Sequence, residues 1–330
     1  MANGILERLA DGVVLGDGGY LLELEKRGYV RAGPFTPEVV LEHPDAVAEL
    51  HREFLHAGAE VLQAMTFYAS EAKLATVGLG RRVEEINRAA IRIARGVANE
   101  ADVLVAGDLS RTWVYDPADL SSLVRTRAIL EHQVMLQMEE GVDFFVCETF
   151  TWLEEALIAL KVAKASGLPV LITMSFANEP KSWEGHIAAE CARRLEDMGA
   201  DIVGLNCLRN PQYMLPLMAE VREAVSCYTA CQPAAYHTPH DRPDFGSLPE
   251  FPKALDPLQL TRAEMADYAI KARNMGINYI GSCCGSVAAH VREMAWALGK
   301  LPQDERPWQI NYDQPMSAYE YYRHGNPVQE

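Results

Sequence analysis

The sequence has no surplus of positive charge. Against 30 Lys and Arg stand 46 Asp and Glu, a formal net charge of −16. No basic face is apparent, which argues against nucleic acid and anionic membrane surfaces as partners. No apolar run approaches the roughly 20 residues needed to span a bilayer. Residues 1–10 lack the basic-then-apolar layout of a secretory leader. Close Cys-x-x-Cys pairs, the usual mark of a structural zinc site, are absent. The 7 cysteines are an odd number in a long chain, which argues against a disulfide scaffold and makes a reducing cytoplasm the expected location. No Gly-x-Gly-x-x-Gly turn follows the first apolar run, which counts against a doubly wound dinucleotide fold.

What is present is a repeat of short apolar runs and amphipathic stretches. The 330 residues, 49% hydrophobic, are enough for one large domain. Buried parallel strands are expected at Val13–Gly16, Val61–Met65, Val103–Ala106, Phe144–Cys147, Pro169–Met174, Ile202–Leu205, Cys227–Cys231 and Tyr279–Ser282. Helical spacing runs through Val83–Val97, Arg125–Glu139, Leu153–Ala165, Ala188–Met198, Tyr213–Ala224 and Ala263–Asn274. Gly58, Gly141, Gly167, Gly199 and Gly276 precede later strands as helix stops. Eight strands alternating with helices predict a (β/α)8 TIM barrel over residues 1–300. Residues 301–330 form a C-terminal extension rich in Tyr, Pro and Trp, expected either to contact a second subunit of a homo-oligomer or to lie over its own barrel. The Pro-, His- and Asp-rich stretch Tyr236–Pro257 reads as a lid or substrate-binding loop.

A barrel places its chemistry at the C-terminal ends of its strands. Asp17 follows the first run, Thr66 to Tyr68 the second, Asp108 the third and Glu148 the fourth. Asn206 and Cys207 follow the sixth, Gln232 the seventh, and Cys283 and Cys284 the eighth. Neighbouring strand residues point to opposite faces, so Cys283 and Cys284 reach one point only where the backbone bends, and Gly281 and Gly285 allow that bend. With Cys207 they form a candidate three-thiolate zinc site with one position open. Three thiolates around Zn2+ leave a net charge of about −1, which suits activation of an incoming thiol as a nucleophile. The simplest reaction is methyl transfer to sulfur. Cys147, Cys191, Cys227 and Cys231 read as core thiols, and for the trio the competing readings are also core thiols or a Cys283–Cys284 redox pair.

Gly204-Leu205-Asn206-Cys207 and Gly281-Ser282-Cys283-Cys284-Gly285 resemble the zinc motifs of the homocysteine S-methyltransferases. Gly16-Asp17-Gly18-Gly19, Leu24 to Val30, Ala32 to Glu38, Thr66 to Ser70, and Gln232 to Pro239 resemble the betaine-type branch of that family, over about residues 11 to 300. The resemblance implies a zinc barrel that moves a methyl group from a betaine to homocysteine, giving methionine. It carries the metal to Cys207, Cys283 and Cys284, and the homocysteine ammonium to Asp17 and Glu148. It brings Phe67 and Tyr68 beside the substrates, with Thr66 and Asn206 in the same motifs, and the Gly18 and Gly19 N–H groups are candidate donors to the amino-acid carboxylate because glycine allows close approach. Tyr68 offers a ring to a cation and a hydroxyl to the metal or a carboxylate.

Two positions depart from that branch. Phe35 stands where it carries Trp, and Thr149 where it carries Tyr. Both fall on the aromatic surroundings of the donor. The expected donor is therefore an onium compound: a betaine, or a sulfonium such as S-methylmethionine or dimethylsulfoniopropionate. Trp113 and Trp152, just beyond strands three and four, are candidates to restore an aromatic face. A non-catalytic betaine-binding barrel is the rival reading.

Overall fold

The computed structural model of the chain describes residues 3–31 and 33–302. The expected tail contact falls on residues 303–330, outside the described residues. Eight parallel strands form one sheet: β1 (Val14–Leu15), β2 (Val61–Gln63), β3 (Leu104–Ser110), β4 (Phe144–Phe150), β5 (Val170–Met174), β6 (Ile202–Asn206), β7 (Tyr228–Gln232) and β8 (Tyr279–Ile280). Their order is β1-β8-β7-β6-β5-β4-β3-β2. The two ends meet where the Glu60 N–H donates to the Leu15 carbonyl at 2.9 Å and the Leu15 N–H donates to the Glu60 carboxylate at 2.8 Å. Helices separate the strands, so the fold is the expected (β/α)8 barrel.

Alternation along the strands creates two cores. Val14, Val61, Leu104, Ala106, Phe144, Val146, Leu171, Ile202, Ala230 and Tyr279 fill the barrel interior, with Ile5 and Leu9 of the N-terminal helix Ile5–Asp11 packed against them. Intervening residues such as Val105, Phe145, Cys147, Ile172, Val203 and Cys231 face outward onto the helices, with Cys191 packed among them. The barrel wall is tight. A Cβ on Gly204 would lie 1.8 Å from the Ala230 carbonyl oxygen, so only glycine fits there. Helix starts are fixed by side chains that satisfy free N–H groups: Asp119 accepts from the Ser121 N–H, and Thr261 and Glu264 form a reciprocal capping box. All five anticipated glycine stops have φ between 81° and 96°.

Two strands are longer than the apolar runs suggest. β3 and β4 each span seven residues. Asp108 and Glu148 therefore lie within strands rather than after them, on the inward phase set by Ala106 and Val146. The β4–β5 register shifts between Cys147 and Phe150. Thr149 sits at φ 62° in that irregularity, and Phe150 consequently joins the outer core.

Candidate active site

The strand ends converge on a cavity lined by Gly18, Gly19, Phe35, Gln63, Met65, Phe67, Asp108, Glu148, Thr149, Gln232 and the three cysteines. The cysteine sulfurs are the deciding feature. Cys207, Cys283 and Cys284 place their Sγ atoms within 4.8 Å of one another, and Cys207 and Cys284 are 3.6 Å apart. Cys207 reaches this point because the chain turns sharply after β6, with φ 55° at Cys207 and 51° at Leu208. Its N–H donates to the Gln232 carbonyl at 2.9 Å, and the Cys283 N–H donates to the Pro233 carbonyl at 2.9 Å. The trio is thus hung from the end of β7. Gly19 lets β1's loop approach: a Cβ there would sit 2.7 Å from the Cys283 carbonyl oxygen. S–H groups of Cys283 and Cys284 hold Cys207 well below the usual thiol range, and the hydrogen bonds they give to Cys207 hold Cys283 and Cys284 well above it.

One wall is acidic, formed by Glu148 at the cavity and by Asp17 joined to it through Gln63. Asp17 accepts from the Tyr20 hydroxyl and from the Gln63 N–H at 2.7 Å. Burial pushes its carboxyl up to about 7. Glu148 accepts from the Gln63 amide at 2.7 Å and from Asn206 Nδ2. Burial, then the charge on Cys207, pushes it up to about 8. A cation entering this wall gains acceptors and relieves their desolvation.

The other expected residues divide. Phe35 lines the cavity and stacks on Phe251 at 5.9 Å, so the loop after β7 walls the site. That loop's Tyr236, Phe245 and Leu248 cluster with Cys207, with Cys283 and Cys284 packed against them. Phe67 lines the cavity, and the Tyr68 ring packs against it at 3.9 Å. Thr66 and Asn206 do not reach the cavity. Thr66 Oγ1 donates to the Asp108 carbonyl at 2.8 Å. Asn206 holds Glu148 and Thr149 from beneath. The Gly19 N–H is not free for a carboxylate, because it donates to the Ser286 carbonyl at 3.2 Å; the Gly18 N–H has no partner among the described residues. Trp113 is not among the residues lining the cavity, and Arg111 lies 3.5 Å and Lys73 4.4 Å from its ring centroid. Trp152 packs edge-on against Trp183 at 5.4 Å. Gln63, missed in the sequence, is signalled there only by a polar residue in the middle of the apolar run Val61–Met65.

The homocysteine S-methyltransferase family model matches residues 14–298. The chain belongs to the homocysteine S-methyltransferase family. It is 47% identical to betaine–homocysteine S-methyltransferase 1 of Mus musculus over 89% of this chain and 74% of that protein. It is 41% identical to an S-methylmethionine–homocysteine S-methyltransferase of Pongo abelii, over 89% of this chain and 81% of that protein. The homocysteine methyltransferase MmuM from Escherichia coli, in its oxidized form, superposes with a TM-score of 0.71 at 18% identity, over 89% of this chain and 99% of that one; this likeness shows the barrel. Within a homocysteine S-methyltransferase, an all-sulfur donor set open to a cavity fits a soft, tetrahedral divalent ion. No helix of the described residues is long and apolar enough to cross a membrane.

Proposed function

We propose that this homocysteine S-methyltransferase moves a methyl group from an onium donor to the thiol of homocysteine, giving methionine. The observation that carries the reading is the meeting of Cys207, Cys283 and Cys284 with Glu148 in one cavity, where Gln63 links Glu148 to Asp17. The three cysteines would hold zinc, which when bound supplies a thiol already deprotonated at neutral pH. Asp17 and Glu148 would orient the amino acid by its ammonium, and the Gly18 N–H would donate to its carboxylate. Phe35 and Phe67 offer aromatic faces to the onium, each contributing about 0.5 to 2 kcal/mol. A quaternary ammonium has no N–H to bond, so ring faces are the appropriate contact. The homocysteine sulfur attacks the methyl carbon in line, and the bond to the leaving heteroatom breaks with its electron pair staying there. Holding the reacting atoms in contact does much of the work.

Named relatives use a betaine or S-methylmethionine, and both are onium compounds. The altered ring at Phe35 and the loss of one at Thr149 favour a donor other than glycine betaine, such as a different betaine or a sulfonium. Purified protein is to be given L-homocysteine with glycine betaine, S-methylmethionine or dimethylsulfoniopropionate in turn, with methionine as the readout. Methionine formation that chelation abolishes is expected. A metal-loaded protein that forms none with any onium donor would overturn the reading.

A further inference from the structure

Asp108 is treated by the fold in two opposite ways. Its backbone is fully engaged: the N–H bonds Thr66 Oγ1 at 3.2 Å, and the carbonyl accepts from Thr66 Oγ1 at 2.8 Å and Gln137 Nε2 at 3.0 Å. Its carboxylate is left bare. The residue is 1% exposed, yet neither carboxylate oxygen has a hydrogen-bond partner, and it lines the cavity. The Gln63 amide beside it gives one N–H to Glu148 at 2.7 Å and brings its other N–H near Asp108 without reaching hydrogen-bond geometry. An unpaired buried carboxyl costs several kcal/mol unless something else satisfies it.

Position and chemistry both say what is missing. In the ladder Gln63 pairs with Ala106 and Glu148 with Ser110, so Asp108 falls between their levels on the inner face. Across the cavity, Gln232 Oε1 is also buried without a partner. The buried side-chain atoms left unmatched in this space, both Asp108 carboxylate oxygens and Gln232 Oε1, are acceptors, so an anion would not satisfy them. A methylated onium has no N–H to give. A primary ammonium has three, matching three acids at one wall.

Resting on the function proposed above, we propose that Asp108 is a third acceptor for the homocysteine ammonium, beside Asp17 and Glu148. Burial, reinforced by Glu148, holds its carboxyl well above the usual range; an arriving ammonium removes that penalty.

The test compares homocysteine with 4-mercaptobutanoate, the same thiol acid without the amino group. Metal-loaded Asp108→Asn and the smaller Asp108→Ser are assayed for homocysteine binding by calorimetry and for the Ki of 4-mercaptobutanoate in methyl transfer. Homocysteine binding should weaken about tenfold to a hundredfold, while the Ki of the analogue stays within about twofold. Both variants should retain metal and melt, unliganded, at or above the temperature of the unsubstituted protein, since a partnerless carboxyl has been removed. Equal loss for both thiols, no loss for either, or lost metal with lowered melting would overturn the assignment. Failure of the unsubstituted protein to bind homocysteine at all would instead overturn the function, and the assignment with it.

Discussion

Asn206 holds the acidic wall in place, and its substitution tests how the site is built. The side chain is fully buried and makes four hydrogen bonds. Oδ1 accepts from the Thr149 N–H at 2.9 Å and the Thr173 hydroxyl at 2.8 Å; Nδ2 donates to Thr149 Oγ1 at 2.8 Å and to Glu148 Oε2. Asn206→Ala deletes all four and leaves a void, so a loss of about 3 to 5 kcal/mol is expected. Asn206→Asp is subtler. The two acceptor bonds survive, but an oxygen now faces the Glu148 carboxylate. While one proton remains between them, the cost is about that of a single bond, roughly 1 kcal/mol. Glu148 already titrates near 8 because burial raises it. A carboxyl whose folded pKa is raised contributes stability at low pH that is lost as pH rises through that value. The deficit of Asn206→Asp should therefore widen by up to about 1.4 kcal/mol per pH unit above about pH 7. Urea unfolding of metal-loaded protein at pH 6, 7.5 and 9 measures it. A deficit that does not change with pH, or an Asn206→Ala variant losing less than about 1 kcal/mol, would refute the account of Asn206 as the support of Glu148.

Three further outcomes are expected. Unliganded protein should lose stability as pH rises from about 5 to 9, because Asp17 and Glu148 are held protonated by burial up to about 7 and about 8; saturating homocysteine should flatten the slope, and an unchanged slope in melting curves would count against the acidic wall as an ammonium site. Gly19→Ala should cost about 1 to 3 kcal/mol and weaken metal retention, since its Cβ meets the backbone of Cys283 rather than a yielding side chain; full metal content by elemental analysis would show that the approach is not required. Phe35→Trp should shift donor preference toward glycine betaine in competition assays, and an identical donor profile would remove Phe35 from the donor wall.

Much of the barrel was legible because parallel strands are buried on both faces and appear as unbroken apolar runs, punctuated by glycines at helix ends. The reading failed where a strand carries polar groups on its inner face. Asp108 and Glu148 end the apolar pattern at Ala106 and Cys147, yet the strands continue to Ser110 and Phe150. The Cys207, Cys283 and Cys284 trio was visible because strand ends are predictable positions and thiols are few. The role of Asn206 was not visible, because its position in a site motif does not distinguish touching a ligand from holding the residue that does. Trp113 shows the same limit: a ring near a strand end was evident, but not the Arg111 and Lys73 cations stacked upon it.

The deepest gap between sequence and site lies in backbone strain. Phe35, Tyr68, Trp113, Thr149, Cys207 and Leu208 are non-glycine residues with φ between 51° and 65°, and each sits in or beyond the C-terminal end of a strand. For β-branched Thr149 this conformation is a genuine outlier, and such residues persist only where their surroundings over-determine them. The surroundings are identifiable. Asn206 grips Thr149 at both N–H and hydroxyl. Ser110 Oγ accepts the Tyr68 N–H at 3.0 Å. The Gln232 carbonyl accepts from Cys207, and the Leu208 carbonyl accepts the Phe245 N–H at 3.0 Å. Each strained residue for which a grip is named is held by a different strand or loop from its own, so no local sequence pattern can announce it. The barrel thus does more than display loops. It forces them into conformations that aim the Cys207 sulfur at Cys283 and Cys284, and that strain is sustained by contacts such as those of Asn206, which themselves never touch the cavity.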